Sequence, residues 1–121
     1  ADGDGNPISV NLHGVDYDPQ TDTLFLSDVG AADNATDGQI FVITQSSFAV
    51  GNTPVAAAIG GDATMLGNPV DIVFSNGSLY VAEKANDVVI RYDDIITLRG
   101  NSNTAGGIVT DFTKPESIFI R

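Results

Sequence analysis

Oxygen-bearing side chains set close together are the residues of this chain that could do chemistry. Asp2, Asp4 and Asn6 stand at alternate positions, separated by Gly3 and Gly5. A hard cation such as Ca2+ gathers about six to eight oxygens, and glycines let a backbone fold around it. The run opens as an EF-hand loop does and then departs from it. Pro7 stands where that loop needs glycine, and His13, at the twelfth position, offers no bidentate carboxylate. Two readings stay open here: a calcium loop of another kind, or a solvated chain terminus. A second group, Asp28, Asp33 and Asp37 with Asn34 among them, falls in one loop-like stretch. It too would take Ca2+ as its cofactor; otherwise Asp28 caps a turn and the rest faces water.

Two further patterns concern modification. Asn34-Ala35-Thr36 and Asn76-Gly77-Ser78 fit the N-glycosylation acceptor pattern, and both fall in expected turns. At Asn76 a plain Asn-Gly hairpin turn accounts for the same residues. His13 is the one histidine, with no nucleophile or orienting acid in any recognisable arrangement around it. There is no Gly-x-Ser-x-Gly, no P-loop and no dinucleotide fingerprint. No catalytic residue is therefore assigned.

The elements that would position these groups repeat. Gly14-Val15-Asp16-Tyr17-Asp18 leads into Leu24-Phe25-Leu26-Ser27-Asp28, and Pro69-Val70-Asp71-Ile72-Val73 leads into Leu79-Tyr80-Val81-Ala82-Glu83. Val15 matches Val70, Asp16 matches Asp71, Leu24 matches Leu79 and Asp28 matches Glu83, each pair 55 residues apart. A third start lies at Pro115-Glu116-Ser117-Ile118-Phe119-Ile120. Self-similarity at this kind of period marks stacked supersecondary units, none of which buries its apolar faces alone.

Within each unit the apolar residues alternate, as in strands. The first unit predicts strands over 13–18, 24–27, 39–44 and 55–59. The last of these would also fit a short helix, because alanine favours one. The second unit predicts strands over 69–74, 78–82, 88–92 and 107–112, with 94–98 left as an ambiguous stretch that would hold one helical turn. Ser75-Asn76-Gly77 is a tight-turn signal. Ile40 matches Val89 at a spacing of 49, so the loop 28–38 is six residues longer than its counterpart. Short turns between consecutive strands predict antiparallel meanders.

Four-stranded meanders in series are the build of β-propeller blades. Ile59-Gly60-Gly61, Gly67-Asn68-Pro69, Ser78-Leu79-Tyr80-Val81-Ala82-Glu83 and Asn86 through Asp93 together resemble an NHL-type repeat. The chain departs from that pattern at Val70, where glycine normally follows the proline step, at Glu83, which is Asp in the pattern, and at Leu12-His13-Gly14, where the proline step is missing. The resemblance implies a six-bladed propeller fold shared with gluconolactonase-like hydrolases, and a fold of that breadth does not set an activity. In those hydrolases a Glu near Glu116 binds a divalent metal, but it precedes a Gly-Pro step, whereas Glu116 follows Lys114-Pro115. The expected fold is all-β, one propeller segment with blade-like units at about 8–60 and 66–112 and a third beginning at 115–121. Two units do not close a ring of about four to eight blades. The expected partners are other blades of the same protein or further copies of the chain.

Composition bounds the rest. The chain has 121 residues, 42% of them hydrophobic and 17% charged, which suits a folded domain. It has no cysteine, which excludes disulfides and thiolate chemistry, and no tryptophan for sugar stacking. The formal net charge is −11, and Lys84, Arg91, Arg99, Lys114 and Arg121 all follow position 83. Such a field repels nucleic acid and anionic lipid. No apolar run reaches the roughly 20 residues of a membrane span. Ala1-Asp2-Gly3-Asp4-Gly5 lacks the regions of a signal peptide, so either a leader has been removed or the visible chain starts mid-protein. The sequence thus suggests a non-catalytic interaction or structural segment of a secreted or cell-surface protein. The alternative is part of a calcium-dependent hydrolase of the lactonase or phosphatase kind.

Overall fold

Alternating runs become paired strands because one face of each can be removed from water while the backbone satisfies its neighbour. The computed structural model describes residues 1–31 and 33–120; Arg121, at the end of the third expected unit, lies outside them. The strands are β1 (Leu12–Asp18), β2 (Thr23–Asp28), β3 (Gln39–Ile43), β4 (Ala57–Gly60), β5 (Pro69–Ser75), β6 (Ser78–Glu83), β7 (Val88–Tyr92), β8 (Gly100–Ser102) and β9 (Gly107–Val109). Three single 3-10 turns, Ser46–Phe48, Asp62–Thr64 and Ile95–Thr97, are the only helical elements among the described residues. The last of these lies in the ambiguous stretch 94–98.

The chain is all-β, in two sheets. The first has the order β1-β2-β3-β4-β8 and the second β5-β6-β7-β9. Every pair is antiparallel except β4 with β8. The sheets do not close into a barrel. Among the described residues no helix is long and apolar enough to cross a membrane.

Three expectations are corrected. The fourth strand runs over Ala57–Gly60 and not 55–59, because Val55 donates its N–H to the Ala1 carbonyl instead. The strand expected over 107–112 ends at Val109, and the chain soon takes a positive φ, of 71°, at Asp111. The first sheet has five strands, not four, since Gly100–Ser102 returns from the second unit to lie parallel to β4.

The single repeat spacing is also corrected. Tyr17 pairs with Leu24, whereas Phe74 pairs with Leu79. The second strands therefore correspond at 55 residues and the first strands at 57. Loop length is the cause. Four residues, Pro19 to Asp22, join β1 to β2, while Asn76-Gly77 alone joins β5 to β6. Asn76 and Gly77 both have positive φ, 50° and 84°, as a two-residue hairpin loop requires.

The core lies between the sheets. Phe25, Ile40, Val42 and Ile59 of the first meet Ile72, Leu79, Val81 and Ile90 of the second. Each such side chain contributes about 1.5–3 kcal/mol on burial. The ring of Phe25 stacks on Phe74 with centroids 4.8 Å apart and an interplanar angle of 18°. At Gly14 the first strands come close: a Cβ there would lie 3.2 Å from the Asp71 Cα.

Candidate functional site

Asp28 and Glu83, matched in the repeat, end β2 and β6 and are almost fully buried. Asp28 accepts from the backbone N–H of Val10 (2.6 Å), Asn11 (3.0 Å) and Gly30 (2.8 Å). Glu83 accepts from the N–H of Gly67 (2.9 Å) and Asn86 (2.8 Å), with the Asn68 N–H also turned toward it. Each carboxylate thus ties the approach to its first strand to the turn after its second. Burial pushes the Glu83 carboxyl up from its ordinary value, and the N–H donors pull against that shift.

A second matched pair links one unit to the next. Asp16 Oδ1 accepts from the N–H of Tyr17 (2.8 Å), and its Oδ2 accepts from the N–H of Phe74 on β5 (2.6 Å). Asp71 does the same: Oδ1 with Ile72 (3.0 Å) and Oδ2 with Ile118 (2.9 Å). Residues 115–120 form no ladder, yet they stand beside β5 as β5 stands beside β1. Only the aspartate repeated mid-strand, at Asp16 and Asp71, could have signalled this latch from sequence.

Asp22 is a third centre. Its carboxylate accepts from the Tyr17 hydroxyl (3.0 Å), the Ser46 hydroxyl (3.1 Å) and the Ser47 hydroxyl (2.6 Å), as well as the Ser47 N–H. It fastens the β1–β2 loop to the 3-10 turn after β3. These donors, the Ser47 hydroxyl first, hold its carboxyl below the ordinary value. A depressed carboxyl contributes stability above its unfolded pKa and loses it as pH falls through the folded pKa. Asp22→Asn is therefore expected to melt below wild type at neutral pH. The two melting temperatures should converge as the pH falls below 3.8, the unfolded-chain value, in a pH series of thermal melts.

Of the residues expected to bind calcium, Asp2, Asp28 and Asp37 accept hydrogen bonds from nearby chain. In the loop 28–38 the Asp37 carboxylate folds over Gly30 and its Oδ2 accepts from the Ala31 N–H (2.9 Å), while Asp33 is exposed. Asp28 and Asp37 thus clamp adjacent backbone groups of one loop. At the N-terminus, Asp2 accepts from the N–H of Asp4 (2.9 Å) and Asn6 (2.8 Å) and from the Asn6 amide (3.0 Å). Asp4 and Asn6 face solvent. Among the described residues no three acidic or imidazole side chains converge as a metal site requires. Glu116 pairs with Lys84, and His13 is exposed. Asn34 is exposed, with its Oδ1 accepting from the Thr36 hydroxyl at 2.9 Å. Asn76 caps the hairpin, and the Ser78 hydroxyl is turned to Asp93 at 2.6 Å.

Each sheet also has an apolar outer face. The outer face of the first sheet carries Val15, Tyr17, Leu24 and Leu26, in register across β1 and β2. Val15 is 62% exposed and Tyr17 46%. The N-terminal segment and the chain around 49–55 cover the far part of that face, leaving a cleft of about 320 Å³ floored by Leu26, Phe41 and Ile43. The outer face of the second sheet carries Val73, Tyr80 and Val89, all half-buried. A larger, open cleft of about 1070 Å³ between the N-terminal loop, β4 and β8 has Asp2, Asp37, Gln39 and Asn101 on a glycine-rich wall. Comparison with family models, with curated proteins and with solved structures finds no match to this chain.

Proposed function

We propose that the chain is a non-catalytic structural or interaction segment of an NHL-like β-propeller, working outside the cell. Its two sheets act as successive blades, with residues 115–120 beginning a third. The repeated carboxylate latch carries this reading. Asp16 fixes β5 beside β1, and Asp71 fixes 115–120 beside β5 by the same pair of hydrogen bonds. First strands laid side by side in sequence, each leading into its own sheet, are what radial repetition about an axis requires. The acidic side chains serve this frame: Asp16, Asp28, Asp71 and Glu83 all hold backbone N–H groups. A surface charge of this sign keeps such a frame soluble.

The competing hydrolase reading is tested directly. The chain is incubated with simple lactones and aryl phosphate esters, with and without millimolar calcium, and its melting temperature is followed in parallel. No turnover above a heat-denatured control and no calcium-dependent shift in melting are expected. Saturable hydrolysis that depends on calcium would overturn the proposal.

A further inference from the structure

The outer face of the first sheet is the structural counterpart of the inner face of the second. Tyr17 corresponds to Phe74, Leu24 to Leu79 and Leu26 to Val81. In the second sheet these positions are packed against the first sheet; in the first sheet their equivalents face outward. The reverse holds at the other end. Val73, Tyr80 and Val89 on the second sheet's outer face correspond to Asp16, Phe25 and Ile40, which line the closed interface. The molecule therefore carries one assembled interface and a spare copy of each half. The stacked pair Phe25–Phe74 maps onto Tyr80 at one end and Tyr17 at the other.

Two different surfaces that fit each other make a heterologous contact, which builds rings or filaments and not isologous pairs. Building on the reading of the sheets as blades, we infer that a second copy of this chain docks head to tail, setting Tyr80 of one copy against Tyr17 of the next. Charge favours that polarity. Residues 1–60 contain eight acids and no Lys or Arg, whereas residues 61–121 set five Lys or Arg against eight acids, so two first sheets repel each other more strongly than a first sheet repels a second. Residues 113–120 compete for the same place. They lie across the second sheet through Ile118 to Asp71, Glu116 to Lys84 and the Lys114 N–H to Asp87. β1 of the incoming copy takes the position of this strap.

The chain has no cysteine, so thiol cross-linking is free of background. Tyr17→Cys and Tyr80→Cys variants are mixed with a short bifunctional thiol reagent. A covalent dimer, twice 12.6 kDa, is expected in the mixture and not with either variant alone. Adding Glu116→Gln to the Tyr80→Cys chain removes the ion pair that ties the strap to Lys84 and should raise the cross-linking rate by about two- to fivefold, the scale of a surface ion pair. Sedimentation of the unmodified chain should show mass rising with concentration. A single 12.6 kDa species at all concentrations, with cross-linking no faster than an Asn103→Cys control, overturns the inference. If either variant fails to fold, sedimentation of the unmodified chain decides alone. The reading of the sheets as non-catalytic blades would survive that failure, since its own test is hydrolysis.

Discussion

Replacing Glu83 by alanine should lower the free energy of unfolding by about 3–5 kcal/mol, and the melting temperature by about 10 °C or more. Glu83 is fully buried, and its two oxygens receive the N–H groups of Gly67 and Asn86. Removing the carboxylate leaves those donors without a partner in a place water does not easily reach. Each orphaned donor costs about 1–3 kcal/mol, more than a typical hydrogen bond gains, because desolvation is no longer offset. Glu83→Gln should cost less, since the amide keeps one acceptor, though it turns an NH2 toward one donor. The pH dependence separates the two roles of the group. Burial raises the folded pKa above 4.5, the unfolded value. Its stabilising contribution is then complete below 4.5 and declines as pH rises through the folded pKa. The advantage of wild type over Glu83→Gln should be larger near pH 4.5 than at pH 8, as read from urea unfolding at both.

Strands with regular apolar alternation were legible in the sequence, because burial on one face leaves a period of two. Pro69–Ser75 and Ser78–Glu83 are of this kind, and Asn76-Gly77 marks their turn by conformational preference alone. β8 left no such trace. Gly100, Asn101 and Ser102 bury no apolar face; they are strand only because backbone groups of β4 lie beside them. The two-residue difference between the hairpin loops was hidden for another reason. The gapless match of Asp16 to Asp71 reflects their shared latch, while the ladders correspond two residues further on. Composition does not distinguish a carboxylate that binds a cation from one that binds N–H groups. Asp28 reads equally well as either in sequence; in the fold its carboxylate receives the N–H groups of Val10, Asn11 and Gly30. The significance of Asp22 depended on Ser46 and Ser47, more than twenty residues away, and no local spacing announces that.

The longer loop 28–38 has a consequence at Gly67. It reaches the second sheet and crosses its backbone there: a Cβ on Gly67 would lie 2.4 Å from the Ala35 carbonyl oxygen and 2.6 Å from its carbon. Both are backbone atoms, so no side-chain rotation relieves the clash. The crossing is held by the Gly38 N–H to the Leu66 carbonyl (2.9 Å) and by the Asn86 amide to the Met65 (2.8 Å) and Ala35 (3.2 Å) carbonyls. Gly67→Ala is therefore expected to destabilise the chain by about 2–3 kcal/mol, the scale of overpacking against a rigid neighbour. It should also speed amide exchange at Gly38, because the loop must lift for the methyl group to fit. Two glycines calibrate the effect. Gly77→Ala meets nothing within 4 Å but carries a φ of 84°, so it should cost about 1 kcal/mol from conformation alone. Gly3→Ala meets nothing and has no such φ, and should change stability by less than about 0.5 kcal/mol. If Gly67→Ala ranked with Gly3→Ala and left exchange at Gly38 unchanged, the loop would not bear on the second sheet, and the two units would be joined through their core, their first strands and the β4–β8 pairing.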